Sequence, residues 1–171
     1  HLRMLCSATD LPVNADFEGG YADRPEDVGT NVALAVETGV AGLSIEDRIG
    51  TDLYPRSLAI ERMQAAREAI DKTGQDVLLI GRTESFLIGR TNVDEAIDRL
   101  LAYAAAGADV LYPPRVLDLP TIKTIVEAVA PTPVNILLST PEMNVADLAA
   151  VGVRRMSVGG LLASYAWAAF D

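Results

Sequence analysis

The sequence of 171 residues predicts an α/β fold in which parallel β-strands alternate with α-helices. Short apolar runs alternate with longer segments of helical periodicity, and no linker or low-complexity stretch interrupts them. A glycine stands between helix and strand three times, at Gly39, Gly107 and Gly152, where the left-handed conformation ends a helix. Polar residues end three successive strands, as they do around the mouth of a barrel. The pattern therefore favours a (β/α)8 barrel over an open doubly wound sheet, for which a GxGxxG or P-loop motif would be expected.

The elements follow one another in regular order, and each is bounded by its own pattern. In residues 11–18 the side chains alternate between a polar face and an apolar face, which predicts a strand. Thr91 followed by Asp94 marks the start of a helix with an apolar stripe from Val93 to Ala104. The predicted strands are 11–18, 42–47, 76–84, 108–113, 133–139 and 154–159. The predicted helices are 25–39, 57–73, 92–106, 117–130, 144–151 and 161–170.

Six βα units are two fewer than a complete (β/α)8 barrel, which typically needs about 250 residues. We therefore expect residues 1–171 to form one barrel domain, of which this chain covers about six units. The two missing units are expected to precede His1.

Composition excludes several classes of function. The net charge of −10 argues against a nucleic-acid partner, whose phosphates require a basic surface. Half of the residues are hydrophobic and the mean hydropathy is +0.22, but no apolar run approaches the roughly 18 residues of a membrane span. No signal-peptide pattern opens the sequence, so we expect a cytoplasmic protein without membrane contact.

Few residues are available for nucleophilic or acid–base catalysis. The only histidine is His1 and the only cysteine is Cys6, which is expected in the last turn of a helix. An internal Ser-His-Asp or Cys-His arrangement is therefore excluded. Lys72 and Lys123 both fall in helical patterns, which argues against a Schiff-base lysine. Metal-assisted chemistry is not excluded.

Carboxylates and one arginine stand where the first three strands end. Asp16 and Glu18 share a face of the first strand, Glu46 ends the second, and Arg82 shares a face of the third with Glu84. Clustered carboxylates repel one another unless a cation compensates them. Oxygen ligands without Cys or His suit Mg²⁺ or Mn²⁺. The pattern predicts a divalent-metal site.

Each of these residues also has a purely structural alternative. Asp16 and Glu18 precede two glycines and could lie in a surface turn. Glu46 could pair with a nearby arginine, and Arg82 could neutralise carboxylates without touching a substrate. Glu84 could orient a neighbouring group or pair with Arg82. Asp47 faces the other side of its strand, where we expect an ion pair with a helix or a helix cap.

Six motifs in order resemble the isocitrate lyase/phosphoenolpyruvate mutase superfamily over essentially the whole chain, above all its short members without an assigned substrate. These motifs occupy residues 12–21, 42–47, 81–84, 107–113, 133–135 and 153–159. The resemblance implies a (β/α)8 barrel of the phosphoenolpyruvate-binding type with Mg²⁺ at its carboxyl mouth. It implies that Asp16, Glu18 and Glu46 hold the metal and its waters. It also implies that Arg82 grips the substrate carboxylate and that Asn135 lies among the polar groups of the site.

One departure from the family narrows the function. Lyases that cleave isocitrate or methylisocitrate carry a Lys-Lys/Arg-Cys-Gly-His loop, whereas residues 48–56 contain no Cys, His or Lys. The resemblance then implies a Mg²⁺-dependent carbon–carbon lyase or decarboxylase that acts on a small α-oxo or α-hydroxy acid through an enolate. It implies that Arg82 and Glu46 are the catalytic residues. It also implies that Arg82, Asn135 and Glu84 bind the substrate. Phosphonate chemistry and a non-catalytic relative that binds a metal–oxoacid complex stay open. The apolar segment 161–170 suggests a homo-oligomer, a dimer or tetramer.

Overall fold

The structure is a computed structural model that describes residues 1–170. Eight strands occur in this part of the chain: β1 (Asn14–Ala15), β2 (Gly42–Glu46), β3 (Arg48–Ile49), β4 (Asp52–Leu53), β5 (Leu78–Arg82), β6 (Val110–Tyr112), β7 (Asn135–Leu137) and β8 (Arg155–Ser157). Seven helices accompany them: α1 (Leu2–Ser7), α2 (Pro25–Val36), α3 (Arg56–Thr73), α4 (Val93–Ala105), α5 (Leu119–Val129), α6 (Val145–Ala150) and α7 (Leu161–Ala168).

Six of the strands run parallel in sequence order. β1, β2, β5 and β6 form one sheet, β7 and β8 pair with each other, and a bridge between Leu111 and Val134 joins the two groups. Every predicted strand and helix is present, and Gly39, Gly107 and Gly152 all have positive φ angles. The predicted α/β class with a parallel sheet is confirmed.

The core lies between the sheet and the helices that cover its outer face. Leu43, Ile45 and Leu79 point outward from the strands and are at most 1% exposed. On the helices that cover them, Val32 and Met63 are at most 2% exposed. A Cβ at Gly81 would lie 2.9 Å from the Cβ of Tyr103, so glycine allows α4 to pack closely behind β5. This packing fixes the end of β5, whose last residue is Arg82.

The first strand is shorter than predicted. Residues 11–18 were expected to be extended, but only Asn14–Ala15 form a strand. The apolar face is as expected, since Ala15 and Phe17 are buried. Glu18 has a φ of 49° and Tyr21 a φ of 54°, so the chain leaves the extended conformation and turns through Gly20. Alternation therefore fixes the direction of Asp16 but not that of Glu18.

Two further features concern the surface. The segment after β2 contains an antiparallel hairpin, β3 with β4, which the sequence did not predict. Cys6 lies in the last turn of α1, as expected. Within residues 1–170, no helix has both the length and the apolar character that crossing a membrane requires.

Candidate active site

The ends of β2 and β5 place two of the predicted residues side by side. Glu46 and Arg82 are opposite each other in the parallel register, each as the last residue of its strand. Asp16 follows β1, the next strand in the sheet. Because the carboxyl ends of parallel strands meet at one edge, these side chains converge there.

Arg82 lies at the centre of a cluster that we call the mouth cluster, which also contains Asp16, Glu46 and Glu84. Its Nη1 lies 3.2 Å from Oδ1 of Asp16, and its Nη2 lies 3.3 Å from Oε2 of Glu46. Its Nε donates to Oε1 of Glu84 at 2.5 Å. The Glu84 side chain is 1% exposed and that of Asp16 is 72% exposed, so the cluster runs from the interior to the open mouth.

Burial and like charges change the acidity of the cluster. Burial raises the pKa of Glu46 to about 7, and the charges of Glu84, Asp16 and Glu18 add to the increase, while Arg82 opposes it. Burial alone would lower the pKa of Arg82, but the hydrogen bond and charge of Glu84 and the charges of Glu46 and Asp16 raise it. Arg82 therefore stays protonated, and Glu46 exchanges its proton near neutral pH.

A pocket of about 250 Å³ opens beside the cluster, inside the curve of the strands. Asp16 and Arg82 form one side of it, and residues from β6, β7 and β8 form the other. The residues that line the pocket are Asn14, Asp16, Ser44, Ile80, Arg82, Tyr112, Asn135, Arg155, Ser157 and Gly159.

Asn135, predicted as a site residue, lies in this pocket and is 1% exposed. Its Nδ2 donates to Oγ of Ser157 at 3.1 Å, while its Oδ1 has no hydrogen-bond partner in the described part of the chain. Ser157 in turn contacts the hydroxyl of Tyr112 at 3.4 Å. The guanidinium of Arg82 lies 5.2 Å from the centre of the Tyr112 ring. Asn135 and Arg82 are thus connected across the pocket.

Glu84 is placed as the partner of Arg82. It does not line the pocket, and its second carboxylate oxygen, Oε2, is buried without a hydrogen-bond partner among residues 1–170. Its backbone N–H donates to Oδ1 of Asp47 at 2.8 Å. Glu84 therefore orients Arg82, and substrate contact by Glu84 stays a prediction.

Asp47 faces the opposite side of β2, where it forms what we call the Asp47 hub. Besides the Glu84 N–H, its carboxylate accepts from Thr83 at 2.9 Å, Tyr103 at 2.5 Å and Arg99 at 3.3 Å. Arg99 and Tyr103 belong to α4. The expected ion pair between Asp47 and a helix is confirmed.

The three predicted metal ligands are only partly brought together. Asp16 and Glu46 both contact Arg82, whereas Glu18 faces a separate surface groove with Gly19 and Arg48. The backbone oxygen of Glu18 accepts from the N–H of Glu46 at 3.0 Å, so Glu18 still borders the cluster. Among residues 1–170, no three His, Cys, Asp or Glu side chains are placed to hold a metal ion together.

The chemistry of the mouth cluster nevertheless fits a divalent cation. Three carboxylates face one guanidinium, and all the acidic donors are hard oxygen atoms. Burial raises the pKa of Glu46, the neighbouring carboxylates add to the increase, and a bound cation would oppose it by favouring the charged form. Asp16 and Glu46 are the residues that would hold it, and the turn that carries Glu18 borders them through its backbone.

Two arginines that sequence reasoning did not single out bear on the site. Arg62 on α3 is 1% exposed and donates to the backbone oxygens of Ala22 and Asp23 at 2.5 and 2.7 Å, which anchors the loop after Glu18. Arg155 on β8 lines the pocket. The alternation used for the first strand would have placed Arg155 on the face of Ser157. No sequence signal distinguished Arg62 from other helical arginines.

The fold and the site define a class: an α/β protein whose parallel strands present carboxylates and an arginine at their carboxyl ends, beside a polar pocket. The sequence profile of the phosphoenolpyruvate phosphomutase family matches residues 1–171. The chain belongs to this family, within the isocitrate lyase/phosphoenolpyruvate mutase superfamily, and the predicted barrel type is confirmed with it.

Individual relatives agree with this assignment. An oxaloacetate decarboxylase from Chromohalobacter salexigens is 34% identical over 158 residues, which are 85% of this chain and 52% of that protein. A protein from Burkholderia cenocepacia J2315, provisionally described as a lyase/mutase, has a crystal structure that is 42% identical, with a TM-score of 0.94 over 99% of this chain and 63% of that one. A 2,3-dimethylmalate lyase structure is 26% identical, with a TM-score of 0.89 over 99% of this chain and 61% of that one. The chain spans about half the length of the curated relatives that it matches.

Proposed function

We propose that the protein is a Mg²⁺-dependent lyase, with Mn²⁺ as an alternative metal, that cleaves a carbon–carbon bond in a small α-oxo or α-hydroxy acid or decarboxylates it. The observation that carries this proposal is the mouth cluster, in which Arg82 contacts three carboxylates at the strand ends beside an open pocket. Relatives described as an oxaloacetate decarboxylase and a 2,3-dimethylmalate lyase support the same reaction class.

We assign a different role to each residue of the cluster. Asp16 and Glu46, with Glu18, would hold the cation directly or through water, and the bound cation would supply a Lewis acid for developing negative charge. Arg82 has five N–H donors, of which its three described ion pairs occupy only part, so it can also donate to a substrate carboxylate at the mouth. Glu84 fixes the plane of the Arg82 guanidinium through the bond to Nε.

A turnover assay tests the proposal. We expect release of pyruvate from oxaloacetate or from 2,3-dimethylmalate in the presence of Mg²⁺ and a loss of this activity with EDTA. Asp16→Ala should lower turnover by about 10- to 100-fold or more, the scale of losing a residue that supports a metal. Asp76→Ala is the matched control, because Asp76 is exposed and precedes β5 at the opposite end from Arg82. Full activity in Asp16→Ala, or the same turnover with and without Mg²⁺, would refute the proposed Mg²⁺-dependent function.

Phosphonate chemistry on a pyruvate skeleton is the second candidate, because the family profile that matches the whole chain is that of a phosphomutase. Incubation with phosphonopyruvate, followed by phosphorus NMR, separates the two candidates. A new phosphate-ester or inorganic phosphate signal would favour phosphonate chemistry, and an unchanged spectrum together with pyruvate release from oxaloacetate would favour the lyase.

We also propose that the protein is a homo-oligomer. Helix α7 has no buried residue among those described, and Leu162, Tyr165 and Trp167 are more than half exposed. Exposed apolar groups of this size suit a contact between copies. Light scattering after gel filtration should give a mass of two or four chains, and Trp167→Glu should lower that mass.

A further inference from the structure

Tyr112, the last residue of β6, lines the pocket beside the mouth cluster. It lies opposite Arg82 in the register of β5 and β6, so the two side chains share the inner face of the sheet. The guanidinium of Arg82 lies 5.2 Å from the centre of the Tyr112 ring. A small acid whose carboxylate is bound by Arg82 would therefore lie next to Tyr112.

A directed chain of hydrogen bonds ends on the hydroxyl oxygen of Tyr112. Nδ2 of Asn135 donates to Oγ of Ser157 at 3.1 Å, and this hydroxyl donates in turn to the Tyr112 oxygen at 3.4 Å. The amide nitrogen can only donate, so the proton of Ser157 is directed towards Tyr112. Tyr112 is thus the acceptor of the chain, and within residues 1–170 no acceptor is described for its own proton.

This direction of the hydrogen bonds favours release of the Tyr112 proton. The phenolate that remains would accept a stronger, charge-assisted bond from Ser157, and the positive charge of Arg82 would stabilise it further. Burial raises the pKa of Tyr112, while the hydrogen bond from Ser157 and the charge of Arg82 oppose the increase. Tyr112 therefore keeps its proton at neutral pH until a strong base such as a carbanion forms beside it.

The other groups that line the pocket are poorer proton donors. Histidine and cysteine occur only at His1 and Cys6, and neither residue lines the pocket. Ser44 lines it, but an aliphatic hydroxyl is a much weaker acid than a phenol. The two arginines that line it do not lose their protons in proteins. Asp16 is assigned to the cation, which leaves Tyr112 as the neutral acid of the pocket.

We propose that Tyr112 is the acid that protonates the carbon atom left by bond cleavage, and that Ser157, held by Asn135, stabilises the phenolate. The proposal rests on the proposed function, since it assigns the final proton transfer of that reaction. Tyr112 would contact the reacting carbon, whereas Ser157 and Asn135 would act only through Tyr112.

The proton and the electron pairs balance in this step. When the carbon–carbon bond breaks, its bonding pair forms an enolate. A C–H bond then forms at the enolate carbon while the O–H bond of Tyr112 breaks. In decarboxylation the phenolate regains its proton from water, and in cleavage of an α-hydroxy acid the substrate hydroxyl releases an equivalent proton. The step therefore needs no oxidant and no second substrate.

Exchange of the methyl protons of pyruvate for deuterium measures this proton transfer without any bond cleavage. In D₂O with Mg²⁺, proton NMR should show faster exchange with the wild-type protein than without protein. Tyr112→Phe removes only the hydroxyl and should slow the exchange by about 100-fold or more, the scale of general acid–base catalysis. Ser157→Ala should slow it by about 10-fold, the scale of a hydrogen bond to a charged oxygen.

Tyr21→Phe is the matched control, because Tyr21 is 64% exposed and does not line the pocket. This variant should exchange pyruvate protons at the wild-type rate. Titration calorimetry with Mg²⁺ and oxalate, which has no C–H bond, should give the same affinity for the wild-type protein, Tyr112→Phe and Tyr21→Phe. Circular dichroism melting confirms that each variant is folded before rates are compared.

Several outcomes would contradict the role of Tyr112. Exchange at the wild-type rate in Tyr112→Phe, or wild-type exchange no faster than without protein, would overturn the proposal. Equal losses of exchange and oxalate affinity in Tyr112→Phe, or an equal loss of exchange in Tyr21→Phe, would also overturn it. A wild-type rate in Ser157→Ala would overturn the part assigned to Ser157. Failure of the proposed function gives a different pattern, namely wild-type oxalate binding that is the same with and without Mg²⁺.

Discussion

Glu46 and Asp47 are consecutive in the chain, yet their carboxylates have opposite surroundings. Glu46 faces the mouth, where its described side-chain contact is with Arg82 at 3.3 Å. Burial raises its pKa there, and three other carboxylates add to the increase. Asp47 faces α4, is 2% exposed, and accepts from four donors. The end of β2 thus carries one acid that faces the mouth cluster and a second acid that is buried against α4.

The difference separates a structural acid from an acid suited to chemistry. The Asp47 hub supplies enough donors to satisfy a fully buried carboxylate, and every one of them comes from the protein itself. The mouth cluster places three carboxylates around one guanidinium, and Asp16 and Arg82 of this cluster line the pocket. A carboxylate whose oxygens already accept hydrogen bonds from the protein has few free lone pairs for a ligand. A carboxylate among other negative charges is stabilised when a cation binds.

The largest effect should come from breaking the hub. Asp47→Ala should lower the free energy of unfolding by about 3–5 kcal/mol, because it leaves Arg99 and Tyr103 buried without their acceptor. Urea unfolding followed by circular dichroism measures the change. A loss below about 1 kcal/mol would contradict the view that the hub holds β2 to α4.

An exposed ion pair provides the control for this measurement. Asp98 pairs with Arg56 at 2.5 Å, and both side chains are about half exposed. Asp98→Ala should change the free energy of unfolding by less than about 1 kcal/mol, since exposed pairs contribute little. The contrast shows whether burial and the number of donors, rather than the presence of an arginine, set the stability of an aspartate.

Sequence alternation predicted this division but not its details. A period of two places Glu46 and Asp47 on opposite faces, and it also places Arg82 and Glu84 on one face. The helical donors of the hub could not be predicted, because Arg99 and Tyr103 reach Asp47 only through the packing of α4 on β5. Thr83 reaches Asp47 through the pairing of β2 with β5, whose register the sequence does not give. The direction of the Glu18 side chain could not be predicted for a similar reason, since its positive φ depends on the turn that follows it.

The pocket shows the same limit. Asn135 was placed from the family resemblance, whereas Arg155 was overlooked although its strand was predicted. Alternation over the predicted strand 154–159 places Arg155 and Ser157 on one face, but it does not tell whether that face is the inner or the outer one. The register with β7 resolves the question, because Arg155 lies opposite Asn135.

Neutralising the acid of the mouth cluster should affect function more than folding. Glu46→Gln keeps the shape of the side chain and removes its charge, so the free energy of unfolding at pH 7.5 should be no lower than that of the wild-type protein. Affinity for Mg²⁺ should fall by about 10- to 100-fold, because one of the oxygen donors loses its charge. Calorimetry measures the affinity, and urea unfolding measures the stability. A destabilised Glu46→Gln with normal Mg²⁺ affinity would reverse the roles assigned to Glu46 and Asp47.

The smallest effect concerns the proton of Glu46. With a pKa raised from 4.5 to about 7, the folded protein keeps this proton over a range where the unfolded chain has released it. The contribution of Glu46 to the free energy of unfolding therefore falls as pH rises from about 4.5 to about 7 and is constant above that range. Glu46→Gln should lack this part of the pH dependence.

Carbon-13 NMR of the labelled carboxyl group should give the pKa directly, and saturating Mg²⁺ should lower it by about 1–3, because a nearby cation favours the charged form. A pKa that Mg²⁺ leaves unchanged would place the cation away from Glu46, and the open acid at the end of β2 would then be tuned for proton transfer instead of metal binding.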